Sequence, residues 1–87
     1  MSAAIKKRYQ VEIFLKSEQD GKVVLIPIKS NYTTMEKALK EIKRAEASPA
    51  SYAKAVLTIF DIYKGIWVEN NNPKVYVIDA DFMKNYF

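Results

Sequence analysis

The first part of the chain alternates apolar and polar residues with the period of a β-strand that buries one face. This alternation runs from Arg8 to Lys16. The apolar residues that share one face are Tyr9, Val11, Ile13 and Leu15. Phe14 is the exception on the opposite, polar face, where we expect it to meet solvent. The segment therefore predicts a half-buried strand.

A second strand is predicted to return after a polar connection over residues 17–21. The connection ends in Asp20-Gly21, a turn dipeptide whose glycine tolerates a positive φ angle. Residues 22–29 are apolar and β-branched, which is typical of a strand. Pro27 has no N–H to donate to a neighbouring strand. We therefore expect this part of the second strand to lie at the edge of a sheet.

A helix is predicted to follow, because Thr33 and Glu36 have the three-residue spacing of a capping box. Apolar residues then recur at the spacing of one helical face. They are Met35, Ala38, Leu39, Ile42 and Ala45. Ser48-Pro49 should end the helix, since proline disfavours helical geometry in the residue before it.

Residues 49–64 have two interpretations. As a second helix, the segment would begin at Pro49 and end at Gly65. As a strand, residues 56–63 form a run of β-branched and aromatic residues, and Lys64-Gly65 becomes a two-residue hairpin turn into residues 66–69. We favour the strand, because the propensity extends over eight consecutive residues.

The remaining segments complete the predicted fold. Residues 70–73 are a turn cluster, residues 74–79 a final strand, and residues 81–87 a short helical turn or an aromatic tail. The predicted order is β-β-α-β-β-β. This order predicts an α+β two-layer sandwich, in which one main helix covers an antiparallel sheet. We expect residues 1–7 to be a flexible basic arm and residues 8–87 to form a single domain.

Composition argues against an enzyme, because the 87 residues include no histidine and no cysteine. These side chains supply most nucleophile–base pairs and most soft-metal sites. Two glycines are too few for a phosphate-binding loop. We therefore expect no cofactor, no metal and no small-molecule substrate. A metal-dependent nuclease built on Asp61, Asp79 and Asp81 is the least favoured alternative.

The net charge of +4 is unevenly distributed, since residues 1–44 hold ten Lys or Arg and five Asp or Glu. Clustered cations are typical of nucleic-acid or acidic-partner contacts. The candidate residues are Lys6, Lys7, Arg8, Lys37, Lys40, Lys43 and Arg44. The alternative is an ordinary solvated helix, because Glu36 and Glu41 are placed to pair with Lys40 and Arg44.

Aromatic residues supply a second set of candidates, since tyrosine and tryptophan are favoured anchors of protein interfaces. The candidates for a protein interface are Phe14, Trp67, Tyr76, Tyr86 and Phe87. Stacking on nucleic-acid bases is a weaker possibility, because these residues match no RNA-recognition consensus.

We therefore predict a small, non-enzymatic protein-interaction or regulatory module. A homodimer is expected, because two copies that pair their sheet edges protect both edges. The domain also suits an accessory protein of a virus or mobile element that binds a host factor. The alternative is a nucleic-acid-binding protein that uses the basic helix face and the N-terminal arm. No apolar run is long enough to cross a membrane, so we expect a cytoplasmic protein.

Overall fold

The computed structural model describes residues 6–70 and 73–86. Its elements are β1 (Lys6–Gln19), β2 (Lys22–Tyr32), α1 (Met35–Glu46), β3 (Tyr52–Tyr63), β4 (Ile66–Glu69), β5 (Lys74–Val77) and α2 (Ala80–Tyr86). The strands form one antiparallel sheet and α1 is the main helix, so the predicted α+β fold class is confirmed. The ambiguous segment over residues 49–64 contains strand β3 (Tyr52–Tyr63) and no second helix, as favoured, and the strand begins four residues before the predicted residue 56.

The sheet has the strand order β2-β1-β3-β4, and β5 pairs with the same side of β3 as β4 does. Strand β4 pairs with residues 60–63 of β3, and β5 pairs with residues 54–57. Strands β4 and β5 therefore lie one after the other along the same side of β3. Pro27 lies in β2 at an edge of the sheet, as predicted.

Two hairpins close through two-residue turns, of which Lys64-Gly65 was predicted as such. Asp20 and Gly21 have φ angles of 53° and 76°, and Lys64 and Gly65 have φ angles of 52° and 80°. Two successive positive φ angles define the turn whose twist matches that of the flanking strands. The predicted connection over residues 17–21 was too long, because ladder pairing with β2 continues as far as Gln19.

The core lies between α1 and the centre of the sheet. Its fully buried cluster comprises Val11, Ile13, Ala38, Ile42, Ala45, Ala55 and Leu57. Two of the three buried helix residues are alanines, whose small side chains allow α1 to approach the sheet closely. Leu39, predicted to be a core residue, is 41% exposed. It lies about 100° around the helix from Ala38, at the margin of the buried stripe.

The start of α1 differs from the prediction by one residue. Thr34, and not Thr33, is the N-cap: its backbone is extended and its hydroxyl accepts a hydrogen bond from the Lys37 N–H at 3.3 Å. Its carbonyl accepts the first helical hydrogen bond, from Ala38. The Thr33–Glu36 capping box was therefore wrong. The helix ends at Glu46, ahead of Pro49 as expected.

At both ends of the described chain, the observed elements differ in their bounds from the predicted arm and the predicted terminal segment. Residues 1–5 of the predicted basic arm lie outside the described residues. Lys6 and Lys7 belong to β1, where they pair with Ile62 and Asp61 of β3, so these two residues are not part of a flexible arm. At the other end, α2 corresponds to the short helical turn expected after residue 80.

Candidate interaction surfaces

The sheet has one face covered by α1 and one face opposite it, which we call the open face. Successive strand residues alternate between faces, and the ladder register aligns them across strands. At one end of the open face the register places Lys6, Ile62 and Trp67 in a row, next to a row of Arg8, Phe60 and Glu69. At the other end it aligns Pro27, Phe14, Lys54 and Val77.

Two of the predicted interface aromatics lie on the open face. Trp67 is 46% exposed, and its ring contacts that of Phe60 at 5.6 Å between centroids. Phe14 is half-buried beneath the Lys54 ammonium, which lies 4.6 Å from the ring centroid. Eight residues of β3 separate their rows, a distance of roughly 27 Å. Phe14 and Trp67 therefore share a face without forming a single patch.

The other predicted interface aromatics are not on the open face. Tyr76 aligns with Ala55 and packs against the core on the α1 side. The side chain of Tyr86 and the whole of Phe87 lie outside the described residues. The five residues therefore do not assemble into one aromatic surface within the part of the chain that the structure describes.

The basic residues of α1 differ in how far their charge is neutralised. Lys37, Lys40 and Lys43 are exposed. Arg44 donates hydrogen bonds to the Glu41 carboxylate and lies 5.9 Å from the centroid of the Tyr52 ring. The hydrogen bond to Glu41 raises the pKa of Arg44 above its ordinary value. Among the described residues, three lysines of the helix therefore have no acidic partner, whereas the charge of Arg44 is paired with that of Glu41.

The basic segment at the start of β1 does not join this helical patch, because a strand directs neighbouring side chains to opposite faces. Lys7 points to the α1 side of the sheet and forms an ion pair of 2.9 Å with Asp61. This contact raises the pKa of Lys7 and lowers that of Asp61. Lys6 and Arg8 lie on the open face. Lys6, Lys7 and Arg8 therefore do not all lie on the side of the sheet that α1 covers.

The three acids considered for metal binding are also separated. Asp61 lies near the end of β3, whereas the Asp79 N–H bonds to Ala53 at the start of that strand. Asp79 forms an ion pair of 2.5 Å with Lys16, and the pKa of its carboxyl is lowered by Lys16 and by the Phe82 N–H. Within residues 6–70 and 73–86, no group of three acidic side chains is placed to hold a metal ion.

The structure identifies which edge of the sheet is open, the one along β4 and β5, and the sequence pattern alone did not indicate this location. The Asn70 N–H donates to the Ile59 carbonyl at 2.8 Å, and the Ile78 N–H donates to the Ala53 carbonyl at 3.0 Å. Along an antiparallel strand, residues that hydrogen-bond to the neighbouring strand alternate with residues whose N–H and C=O point away from it. Because Asn70 and Ile78 bond to β3, the residues at odd spacing from them point outward. The residues whose N–H and C=O point away from β3 are Trp67, Glu69, Val75 and Val77. We call this the outer edge.

Strands β4 and β5, which carry the outer edge, are accessible and mostly apolar. Val75 and Val77 are each 53% exposed, and Ile66 and Val68 are also exposed. No strand among the described residues pairs with the outward side of β4 or β5. Exposed apolar edge strands of this kind are templates for pairing with another chain.

The opposite edge, formed by β2, is less suited to pairing. The Lys16 N–H donates to the Ser51 carbonyl at 2.8 Å, so even-numbered residues of β1 bond toward β3. By the same alternation, Pro27, which is aligned with Phe14, has its ring nitrogen on the outward side of β2. Proline there removes one outward donor without breaking an inner hydrogen bond. The sheet therefore has one blunted edge and one that remains open.

Comparisons with known proteins identify no relative of this chain. No family model matches the chain, and neither a curated protein nor a solved structure matches it. Among the described residues, no helix is both long enough and apolar enough to cross a membrane.

Proposed function

We propose that this protein is a non-enzymatic, cytoplasmic interaction module that pairs with a second copy of itself through the β5 part of the outer edge. The observation that carries the proposal is the pair of exposed valines, Val75 and Val77, whose backbone groups both point outward. Strand addition at a free edge is a common route to protein association, because backbone hydrogen bonds provide affinity without a deep pocket.

The spacing of these outward groups suits a two-fold axis. We place the axis midway between Tyr76 and Tyr76 of the partner subunit. Val75 then lies opposite Val77 of the partner subunit, and by symmetry Val77 lies opposite Val75 of the partner subunit. Each pair exchanges two backbone hydrogen bonds, so the arrangement forms four in total. Tyr76 itself would be a non-bonded pair across the axis, where opposing side chains approach most closely. Such an interface is isologous, as expected for a homodimer.

The strength of this contact follows from its size. Four hydrogen bonds contribute about 0.5–1.5 kcal/mol each, or roughly 2–6 kcal/mol together. Association carries an entropic penalty of about 4 kcal/mol or more, so burial of the two valines of each subunit must supply part of the balance. A four-residue strand is a small interface, and we expect a Kd between about 1 µM and 1 mM.

The β2 edge does not offer the same opportunity. Pro27 lies in the middle of its outward side and lacks a donor, so a pairing that spans this residue would lose a hydrogen bond. Ile26 and Ile28 of β2 are also exposed, but the same alternation directs their backbone groups toward β1, and the neighbouring outward positions are Pro27 and Lys29. Self-association through β5 is therefore favoured over association through β2.

Amide hydrogen exchange tests the proposed register residue by residue. In the monomer the amides of Val75 and Val77 should exchange rapidly, while that of Tyr76, which bonds toward β3, should be protected. In the dimer all three amides should be protected. We therefore expect protection of Val75 and Val77 to increase as the protein concentration rises from 5 µM to 1 mM. Rapid exchange at both concentrations would contradict the register.

Sedimentation equilibrium with matched variants tests the interface. Val77→Lys should raise the Kd by about tenfold or more, because it places a solvated cation at the pairing edge. Val23→Lys adds the same charge at a 44% exposed position of β2 and should leave the Kd unchanged. A wild-type protein that remains monomeric at 1 mM would refute self-pairing, as would equal weakening by the two variants.

A further inference from the structure

A groove at one end of the open face has a chemistry different from that of the β5 edge. Its volume is about 540 Å³, and Lys6, Arg8, Lys64, Ile62 and Trp67 are among its lining residues. Three of these five side chains are cationic and one is the sole tryptophan of the chain. We propose that this groove binds single-stranded nucleic acid, with a base on Trp67 and phosphates on the three cations.

The cations of the groove have no carboxylate partner among the described residues, although Arg8 donates to the Lys7 carbonyl and the Lys64 ammonium lies 5.4 Å from the Tyr63 ring centroid. Among the described residues, no carboxylate forms an ion pair with Lys6, Arg8 or Lys64. Asp61, the nearest acid in sequence to Lys64, is engaged by Lys7 on the α1 side of the sheet. Glu69 is the acid on the open face nearest in register, and Phe60 separates it from Arg8. The groove therefore keeps a positive net charge.

Trp67 provides the stacking surface. Its ring is 46% exposed, and Phe60 supports it from the neighbouring strand at an interplanar angle of 57°. Bases stack on such exposed aromatic rings whatever their sequence, because every base presents a π face. A ring that packing already holds in position loses little freedom when a base covers it.

The arrangement favours a single strand over a duplex or an acidic peptide. Lys6 and Arg8 are two residues apart on one strand, so their Cα atoms are separated by about 7 Å. This distance is comparable with the spacing of successive phosphates in an extended strand. A duplex hides the base faces that Trp67 would contact, and an acidic peptide offers carboxylates without bases. Of these three ligands, unpaired nucleotides are the one whose phosphates and base faces match both the charge and the ring.

The groove differs from the basic face of α1 and is distant from the β5 pairing site. Lys6 and Arg8 lie on the open face, whereas Lys40 and Lys43 lie on the helix that covers the opposite face. Trp67 and Val77 align with residues of β3 that are eight positions apart. The inference therefore does not depend on dimerisation, and the Val77→Lys variant should still bind the oligonucleotide.

Tryptophan fluorescence tests the proposal directly, because Trp67 is the only tryptophan. Titration with a ten-nucleotide oligothymidylate at 50 mM salt should quench the emission. The affinity should fall with salt at a logarithmic slope of about −2, as expected for three phosphate contacts on a single strand. A duplex of the same length and a polyglutamate peptide are the competing ligands. Equal quenching by either ligand, or no quenching by the oligonucleotide, would overturn the proposal.

Matched variants locate the site. Lys6→Gln with Arg8→Gln should weaken binding of a dye-labelled oligonucleotide about tenfold or more and reduce the salt slope to about −0.7. Lys40→Gln with Lys43→Gln removes the same charge from α1 and should change neither quantity. Trp67→Leu should weaken binding about 5- to 150-fold, as measured by fluorescence anisotropy. If the helix variant loses as much affinity as the groove variant, the groove is not the site. Circular dichroism confirms that each variant is folded.

Discussion

Replacement of Ile42 by alanine provides the most demanding test of how this fold is held together. Ile42 is 2% exposed and is one of the two largest fully buried side chains among the described residues. It packs on β1 and β3 from the centre of α1. Truncation of a buried isoleucine to alanine removes favourable transfer and leaves a cavity, and typically destabilises a protein by about 2–5 kcal/mol.

This loss should be large relative to the stability of the whole domain. Domains of this kind unfold with free energies of about 5–15 kcal/mol. For a chain of 60–100 residues, each 1 kcal/mol corresponds to a change in Tm of about 4–8 °C. We therefore expect Ile42→Ala to lower the Tm by at least about 8 °C. Urea unfolding followed by circular dichroism at low micromolar concentration measures the free energy without a contribution from the proposed dimer.

Leu39→Ala is the matched control. The helical spacing predicts that Leu39 and Ile42 are both buried, but in the structure only Ile42 is. Leu39 retains 41% of its exposure, so its truncation removes less buried surface and leaves no enclosed cavity. We expect a loss below about 1.5 kcal/mol. Equal losses for Leu39→Ala and Ile42→Ala would refute the position of α1 on the sheet. A loss below about 1 kcal/mol for Ile42→Ala would refute the assignment of the core.

Three further predictions concern local features. Thr34→Ala should lower the free energy of unfolding in urea by about 0.5–2 kcal/mol, whereas Thr33→Ala should change it by less than about 0.5 kcal/mol, because only Thr34 caps α1. Gly65→Ala should lower the Tm, because φ is +80° there, and a rise in Tm would contradict the turn. Stability should also fall as the pH drops below about 4, because the lowered pKa values of Asp61 and Asp79 make the fold favour their charged forms. Asp79→Asn should flatten this pH dependence, and an unchanged profile would contradict it.

The two proposals about function concern separate parts of the sheet. Pairing through β5 would join two sheets edge to edge, and a two-fold axis perpendicular to the sheet leaves both open faces on the same side. The two Trp67 grooves would then face one way, and one extended strand of nucleic acid could meet both. Bivalent contact of this kind raises affinity without new contacts. Each proposal nevertheless has its own variants, so either can fail alone.

Much of the fold could be predicted from local pattern. The alternation from Tyr9 to Leu15 identified the buried face of β1, and Asp20-Gly21 and Lys64-Gly65 identified both hairpin turns. The helical stripe of α1 was correct at its centre and wrong at Leu39, because periodicity does not indicate how wide a face the sheet can cover. The error of one residue at Thr34 has a similar origin, since both threonines can cap and backbone geometry selects between them.

The candidate sites were harder to predict, because they depend on which strands are neighbours. Because Lys6, Lys7 and Arg8 are adjacent in sequence, they were predicted as one basic cluster. In β1 successive side chains lie on opposite faces, so Lys7 pairs with Asp61 while Lys6 and Arg8 lie on the open face. Asp61 and Asp79 looked compatible with one metal site until the register placed them at opposite ends of β3. Trp67 was predicted as a protein-interface aromatic residue, but Lys6 and Arg8, which line the same groove, come from another strand.

The sequence alone determined the elements of this protein: strand alternation, turn dipeptides and helical spacing act over a few residues and need no distant partner. From the absence of histidine and cysteine, which are common catalytic side chains, we predict binding in preference to catalysis. Only the tertiary structure decided which edge of the sheet stays open and which cations share a face. Both depend on hydrogen-bond register between segments distant in the chain, and no local pattern encodes that register.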